Sequence, residues 1–175
     1  MVSTPSAAKN ITFHPSAIIC VEAVIEGEVT IGAGTIIHPF AIIRATKGPI
    51  VIGENNNIDE RCVIENISEG QIMIIGDENI MENGAHIQAS SIGNKNCIHG
   101  KSKVGPGVII SNGCSIGPKC QLMEKGSIPE KTVIWGAENR RRIAHDYLES
   151  FLPHFEQYRK MLPSYHHIHR HSSKN

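Results

Sequence analysis

Three histidines in the body of this 175-residue chain stand where a side chain could move a proton. His38 and His99 each directly follow an isoleucine, and His86 directly precedes one. Imidazole titrates near neutral pH, so a positioned histidine can take a proton from an acceptor as a general base. None of the three has an obvious carboxylate partner or substrate loop beside it in the sequence, and each reads first as a surface side chain. A second group, His166, His167, His169 and His171, lies near the C-terminus. It could bind transition metals adventitiously; it is too irregular for a purification tag, and a specific metal site is the less favoured reading. Cys20, Cys62, Cys97, Cys114 and Cys120 are odd in number and follow no CxxC spacing, which favours free buried thiols over disulfides or a zinc site. The residues alone therefore give no catalytic residue, no cofactor and no metal.

The elements that must position these side chains follow a period of six. From Ile92 to Trp135 an apolar residue heads every hexad: Ile92, Ile98, Val104, Ile110, Ile116, Leu122, Ile128 and Ile134. Earlier heads are Phe13, Ile19, Ile25, Ile31, Ile37 and Ile43, then Ile52, Ile58 and Ile64, then Ile75, Met81 and Ile87, making twenty in all. Four places after a head sits a small or short residue, such as Ala17, Thr35, Cys62, Asn96, Cys114 or Gly126. A period of six fits neither the 3.6-residue helix nor the two-residue strand, but it does fit short strands separated by bends around a narrow triangular interior. Three hexads per turn give between six and seven turns over 13–136.

Each buried head contributes roughly 1.5–3 kcal/mol of gross hydrophobic stabilisation, opposed by the entropy of ordering its hexad. A narrow interior has little room for rings, in keeping with an aromatic content of 5%. Asn55, Asn56, Asn57, Asn79 and Asn96 fall at or near bends, where asparagine tolerates left-handed geometry and can stack in hydrogen-bonded ladders. Lys plus Arg balances Asp plus Glu at 17 each, so whole-chain charge gives no reason to expect nucleic acid or an anionic membrane as partner. No apolar run approaches the length of a membrane span, and the N-terminus has no signal-peptide pattern.

The reading divides the chain into a polar arm (1–12), a β-helix (13–136), a helical segment (137–162) and a flexible or partner-ordered His-rich tail (163–175). In the helical segment Ile143, Tyr147, Phe151, Phe155, Tyr158 and Leu162 recur at spacings of three or four, predicting a stripe that packs along one wall. Pro153 predicts either a kink there or a second helix with proline near its first turn. Arg140, Arg141 and Arg142 would open the helix, where its dipole disfavours cations. They read either as a partner surface or as a solvated charge run. The candidate partner-binding residues are Arg140, Arg141, Arg142, Tyr147, Phe151, Phe155 and Tyr158.

Two resemblances bear on function. Ile43-Arg44-Ala45-Thr46, Ile52-Gly53 and Asn57-Ile58-Asp59-Glu60, continuing through Ile74-Ile75-Gly76 and Ser91-Ile92-Gly93, resemble the γ-class carbonic anhydrases. Those enzymes bind a metal through three histidines at subunit interfaces and leave a position open for water. The resemblance lays the ligand positions on Glu65, Asn83 and Gln88, with Thr46 where the family has an aspartate. No histidine remains there, and neutral amides are poor zinc ligands.

The second resemblance covers nearly the whole chain. Ile19-Cys20-Val21-Glu22, Ile36-Ile37-His38-Pro39, Gly48-Pro49-Ile50-Val51-Ile52-Gly53-Glu54, Ile134-Trp135-Gly136-Ala137 and Leu162-Pro163-Ser164-Tyr165-His166-His167 are similar to the dynactin subunit 6 family. This resemblance implies a left-handed parallel β-helix with a C-terminal α-helix packed along it. It implies a non-catalytic structural or adaptor subunit of the dynactin pointed-end complex, supporting dynein cargo attachment and microtubule-based transport. The implied partners are dynactin subunit 5, dynactin subunit 4 and the pointed-end actin-related protein, with cargo adaptors reached indirectly. The implied location is cytoplasmic and cytoskeleton-associated, at microtubules, the centrosome or the kinetochore. The competing expectation is a cytosolic homotrimeric hexapeptide-repeat enzyme, an anhydrase or an acyltransferase.

Overall fold

The computed structural model describes residues 10–147, 149 and 152–170. Twenty short parallel strands stack into three sheets, and every one of them carries one of the twenty hexad heads. The first sheet has seven strands, from Asn10–Phe13 to Gly126–Ile128. The second has seven parallel strands, from Ile18–Ile19 to Thr132–Trp135, plus an eighth, and the third has six, from Val24–Glu26 to Gln121–Leu122. This is the parallel β-solenoid expected from the hexads, about seven turns tall, with one C-terminal helix.

The heads form a single buried core, with only Phe13, in the outermost coil, partly exposed. Between head and small residue, the third place after the head is often left-handed: Asn55, Glu78, Lys95 and Lys131 have φ of 53–58°. That turn sends the chain into the next wall. The small residues then line the corners, and on the corner from the first sheet to the second they form a polar ladder. Asn79 Oδ1 accepts from both the backbone N–H (3.0 Å) and the side-chain amide (3.0 Å) of Asn96. Asn56 Oδ1 serves Asn79 in the same way, at 2.9 and 3.0 Å. All three are buried, so each coil's orphan amide is satisfied by the coil before it. Gly126 departs from the expectation: it is exposed because it lies in the last coil, with nothing stacked below it.

All three breaks in the period of six fall on one corner, between the third sheet and the first. Asn66 ties the two insertions together there, donating to Pro49 O at 3.0 Å and Gln71 O at 2.7 Å. The core register is therefore undisturbed by them.

The C-terminal segment differs from the expected helix over 137–162. Residues Arg140–Ile143 form a strand, paired antiparallel with Thr132–Trp135 on the edge of the second sheet. The helix begins only at Leu152 and runs to Tyr165. Pro153 stands in its first turn, so the proline opens a helix rather than kinking one, and with Arg140–Ile143 in a strand that helix is the first rather than the second. The physical reason is the open edge: the last coil leaves unpaired backbone groups, and Arg140–Ile143 satisfies them better as a strand. Residues 166–170 are not a free tail. Ile168 bridges Cys20 antiparallel, Val21 donates to His167 O at 2.9 Å, and His169 donates to Ile19 O at 2.9 Å. Past Gly136, Arg140–Ile143 thus closes the second sheet at its last coil, the helix lies over its outer face, and residues 166–170 lie against its first coil.

Candidate functional site

Side chains directly after the heads point out of the solenoid and stack in register from coil to coil. On the second sheet this column reads Cys20, His38, Asp59, Glu82 and His99. The C-terminal helix lies over it. Phe155 and Leu162 pack with Cys20 and Ile36, flanked by Ile18, Ile80 and Leu152. Arg159 pins the helix by donating to Gly34 O (2.9 Å) and Asn55 Oδ1 (2.7 Å). Gly34 has a φ of 66°, and a Cβ there would collide with Asn55 Oδ1 and lie 2.7 Å from the Arg159 guanidinium, so a side chain at this place would displace the attachment.

Between helix and sheet a cleft of about 390 Å³ remains, lined by residues including Asn57, Asp59, Glu82, Asn83, His154 and Tyr158. His38 is buried at its edge, with Nε2 donating to Asn57 Oδ1 at 2.8 Å, Asp59 at 3.5 Å, and Tyr158 edge-on at 5.3 Å between ring centroids. Burial raises the Asp59 carboxyl above its ordinary value, and His38 partly offsets this. His99 donates from Nδ1 to Glu82 Oε1 at 3.0 Å and accepts at Nε2 from Ser115 Oγ at 3.1 Å. Glu82 is held by the Gly100 N–H at 2.9 Å. Burial, with Glu82 and Asp59 nearby, pushes the Cys97 thiol up to about 12.

Two of the three histidines thus have carboxylate partners, contrary to the sequence expectation. His38 is also buried rather than on the surface. The partners are a whole coil away in sequence and adjacent only by stacking. His86 stands apart, on the third sheet between Val63 and Lys103. All five cysteines are free and buried.

The positions laid out by the anhydrase resemblance separate into two places. Glu65 and Gln88 meet on the outer face of the third sheet, where Gln88 donates to Glu65 at 3.0 Å and Thr46 donates to Glu65 at 3.3 Å. Asn83 lines the cleft under the helix instead.

The expected partner residues are also dispersed. Phe155 is 2% exposed inside the chain's own packing, so it is not available as a contact. Tyr158 is half spent on His38, and Tyr147 sits over Gly113 with Lys131 Nζ 4.5 Å from its ring centroid. Phe151 lies outside the described residues. Arg140, Arg141 and Arg142 are exposed on the edge strand, not at a helix start, so the dipole argument does not apply to them. Trp135, Ile143 and Met123 are exposed at the same end of the solenoid.

A surface that the sequence reading missed is the outer face of the first sheet. Thr12, Thr30, Val51, Ile74, Ser91, Ile109 and Ser127 stack there in register without a charge among them. Ile74 is 54% exposed, Ile109 41% and Val51 37%. The signal was available: these are the residues directly before every third head.

Compared with known proteins, the chain is 40% identical over 182 residues to dynactin subunit 6 of Xenopus tropicalis, covering 96% of this chain and 90% of that protein. The chain belongs to the dynactin subunit 6 family. Dynactin subunit 6 of Danio rerio is 41% identical, with 91% of this chain and 88% of the relative covered. No family model matches the chain. Among solved structures, a hexapeptide transferase family protein from Anaplasma phagocytophilum superposes with a TM-score of 0.69 at 17% identity, covering 86% of this chain and 87% of that one. That likeness speaks for the fold alone: this chain shares its solenoid with a hexapeptide transferase family protein. The anhydrase-like stretches are one part of a chain whose similarity to the dynactin subunit 6 family runs nearly end to end.

Proposed function

We propose that this chain is a structural, non-catalytic subunit of dynactin, and that it docks by its first sheet on a neighbouring β-helical chain. Membership rests on the end-to-end similarity to dynactin subunit 6 proteins of other species. The docking surface rests on one observation, the uncharged in-register column Thr12, Thr30, Val51, Ile74, Ser91, Ile109 and Ser127. The second sheet is already covered by the chain's own C-terminal segment. The third presents the charged pair Arg44–Glu26 at 3.0 Å beside Glu65. An uncharged, largely β-branched column, with Glu28 at its margin, is costly to leave in water and matches another such surface. Subunit 5 is the neighbour we assign to it, with subunit 4 and the pointed-end actin-related protein reached through the exposed end that carries Arg140, Arg141 and Arg142. The setting is cytoplasmic and cytoskeleton-associated, and no helix of the described residues is long and apolar enough to cross a membrane.

The test is the mass of the purified chain alone and mixed with subunit 5, for the native sequence and for Ile74→Arg with Ile109→Arg. A one-to-one complex that the double variant loses, with unchanged circular dichroism, supports the reading. A stable homotrimer that ignores subunit 5 overturns it.

One observation favours a second reading. His99 backed by Glu82 has the geometry of a general base, as an acyltransferase would need. Acetyl transfer from acetyl coenzyme A that is lost in Glu82→Gln would establish it; no turnover above the variant's removes it.

A further inference from the structure

We propose that Glu82, Cys97 and His99 form a zinc-type divalent metal site on the outer face of the second sheet. Nothing in the sequence spacing announces it, because its donors come from two coils. Cys97 and His99 flank the buried head Ile98, so both side chains leave the same strand on the same side. Glu82 follows Met81, which is the register partner of Ile98, and so lies directly beside His99. Carboxylate, thiol and imidazole donor atoms all lie within 4.8 Å of one another.

The spacing fits tetrahedral coordination. Zinc bonds of roughly 2.3 Å to sulfur and 2.0–2.1 Å to nitrogen or oxygen put neighbouring S and N donors about 3.6 Å apart, and N and O donors about 3.3 Å apart. Here Cys97 Sγ is 3.7 Å from His99 Nδ1, and His99 Nδ1 is 3.0 Å from Glu82 Oε1. Small side-chain adjustments admit an ion between them. A sulfur, nitrogen and oxygen set suits Zn²⁺ or Co²⁺ and is a poor match for Mg²⁺ or Ca²⁺.

The surroundings supply what such a site needs. Ser115 Oγ, 3.1 Å from His99 Nε2, can turn to accept a hydrogen bond from Nε2–H, so that the proton rests on Nε2 and Nδ1 is free to bind the ion. The Gly100 N–H fixes the second oxygen of Glu82. The backbone under all three donors is locked by the ladder, with Glu82 N–H to Ile98 O at 2.9 Å and His99 N–H to Ile116 O at 2.9 Å. The side chains of His99 and Glu82 are 32% and 39% exposed, so an ion can enter and keep water as its fourth ligand. This place is distinct from Glu65 and Gln88, which lie on a different sheet.

The experiment uses the full chain, stripped with a chelator and titrated with Co²⁺ and then Zn²⁺. The expected result is one equivalent of cobalt giving a thiolate-to-metal charge-transfer band and tetrahedral d–d bands, both removed by zinc. Cys97→Ser should abolish the charge-transfer band, and Glu82→Gln and Ser115→Ala should each weaken binding on the order of tenfold or more. Glu82 and Ser115 are not core positions, so their variants keep the test decisive if Cys97→Ser folds poorly. The competing site is the C-terminal histidines, addressed by His167→Ala with His169→Ala. Binding that this pair abolishes and Glu82→Gln leaves intact overturns the proposal, as does the absence of any one-equivalent cobalt spectrum.

Discussion

Single residues in this fold act through the coil above and the coil below. Asn79 is bonded on both sides, to Asn56 and to Asn96, and its own amide also reaches Gly93 O at 2.9 Å. Asn79→Ala would strand the buried Asn96 N–H and take a donor from the Asn56 and Gly93 oxygens, so we expect a loss of about 2–3 kcal/mol in urea unfolding, with an unchanged denaturant slope. Asp59 works in the opposite sense. Burial raises its carboxyl above the ordinary 3.8, so folding takes up protons and the ionised form opposes folding at neutral pH. Asp59→Asn should therefore be the more stable protein at pH 7, and its advantage should shrink as pH falls through the raised value toward 3.8. Melting temperatures across that range would measure it. Phe40 carries a φ of 63° with its ring 53% exposed, an unfavourable place for a bulky side chain. Phe40→Gly should stabilise by about 1 kcal/mol, read from the same unfolding curves.

At the scale of the element, the C-terminal helix is held at a few points rather than along its length. Only Phe155 and Leu162 are buried, and Arg159 makes the polar attachment to Gly34 and Asn55. Arg159→Ala should leave the solenoid's slow amide exchange untouched while the amides of 152–165 exchange faster by an order of magnitude or more. The end of the segment has an acid-sensitive contact as well. Its bond to His166 holds the Glu22 carboxyl below its ordinary 4.5. That contribution is complete above 4.5 and is lost as pH falls through the lowered value. Proteolysis near 166–170 should accelerate only below that point.

At the scale of the molecule, a prism has three walls and two ends, and this chain uses one wall for itself. Its C-terminal strand also covers the edge of the second sheet at the last coil, and among the described residues the edges Gln121–Leu122 and Gly126–Ile128 of the other two sheets have no further strand. On the proposed reading, contacts with other subunits fall on the first sheet and on the end bearing Arg140, Arg141 and Arg142. Reversing those three charges should weaken subunit association, measured by size-exclusion mass, while thermal unfolding stays nearly unchanged. The side chains are exposed, and the strand is held by its backbone. Collapse of folding instead would assign the arginines to the prism.

The period of six was enough by itself to place all twenty strands, their heads and most of the corner residues. Each head contributes the same burial at the same phase, and local repetition is a property of sequence. Cys62, Cys114, Cys120 and the asparagine ladder were legible for the same reason, whereas Cys20 and Cys97 flank heads on the outward face. What the sequence did not reveal depends on which coil lies on which. His99 meets Glu82, Asp59 lies beside His38, and Ile74 joins Val51 only because register stacks residues about a full turn of chain apart. Register in turn depends on the insertions at one corner. The C-terminal segment was misread at Arg140–Ile143 because a helical spacing of apolar residues competed with an open sheet edge. Unpaired backbone groups at that edge outweigh the intrinsic preference of a short segment, and the edge exists only once the solenoid has been built.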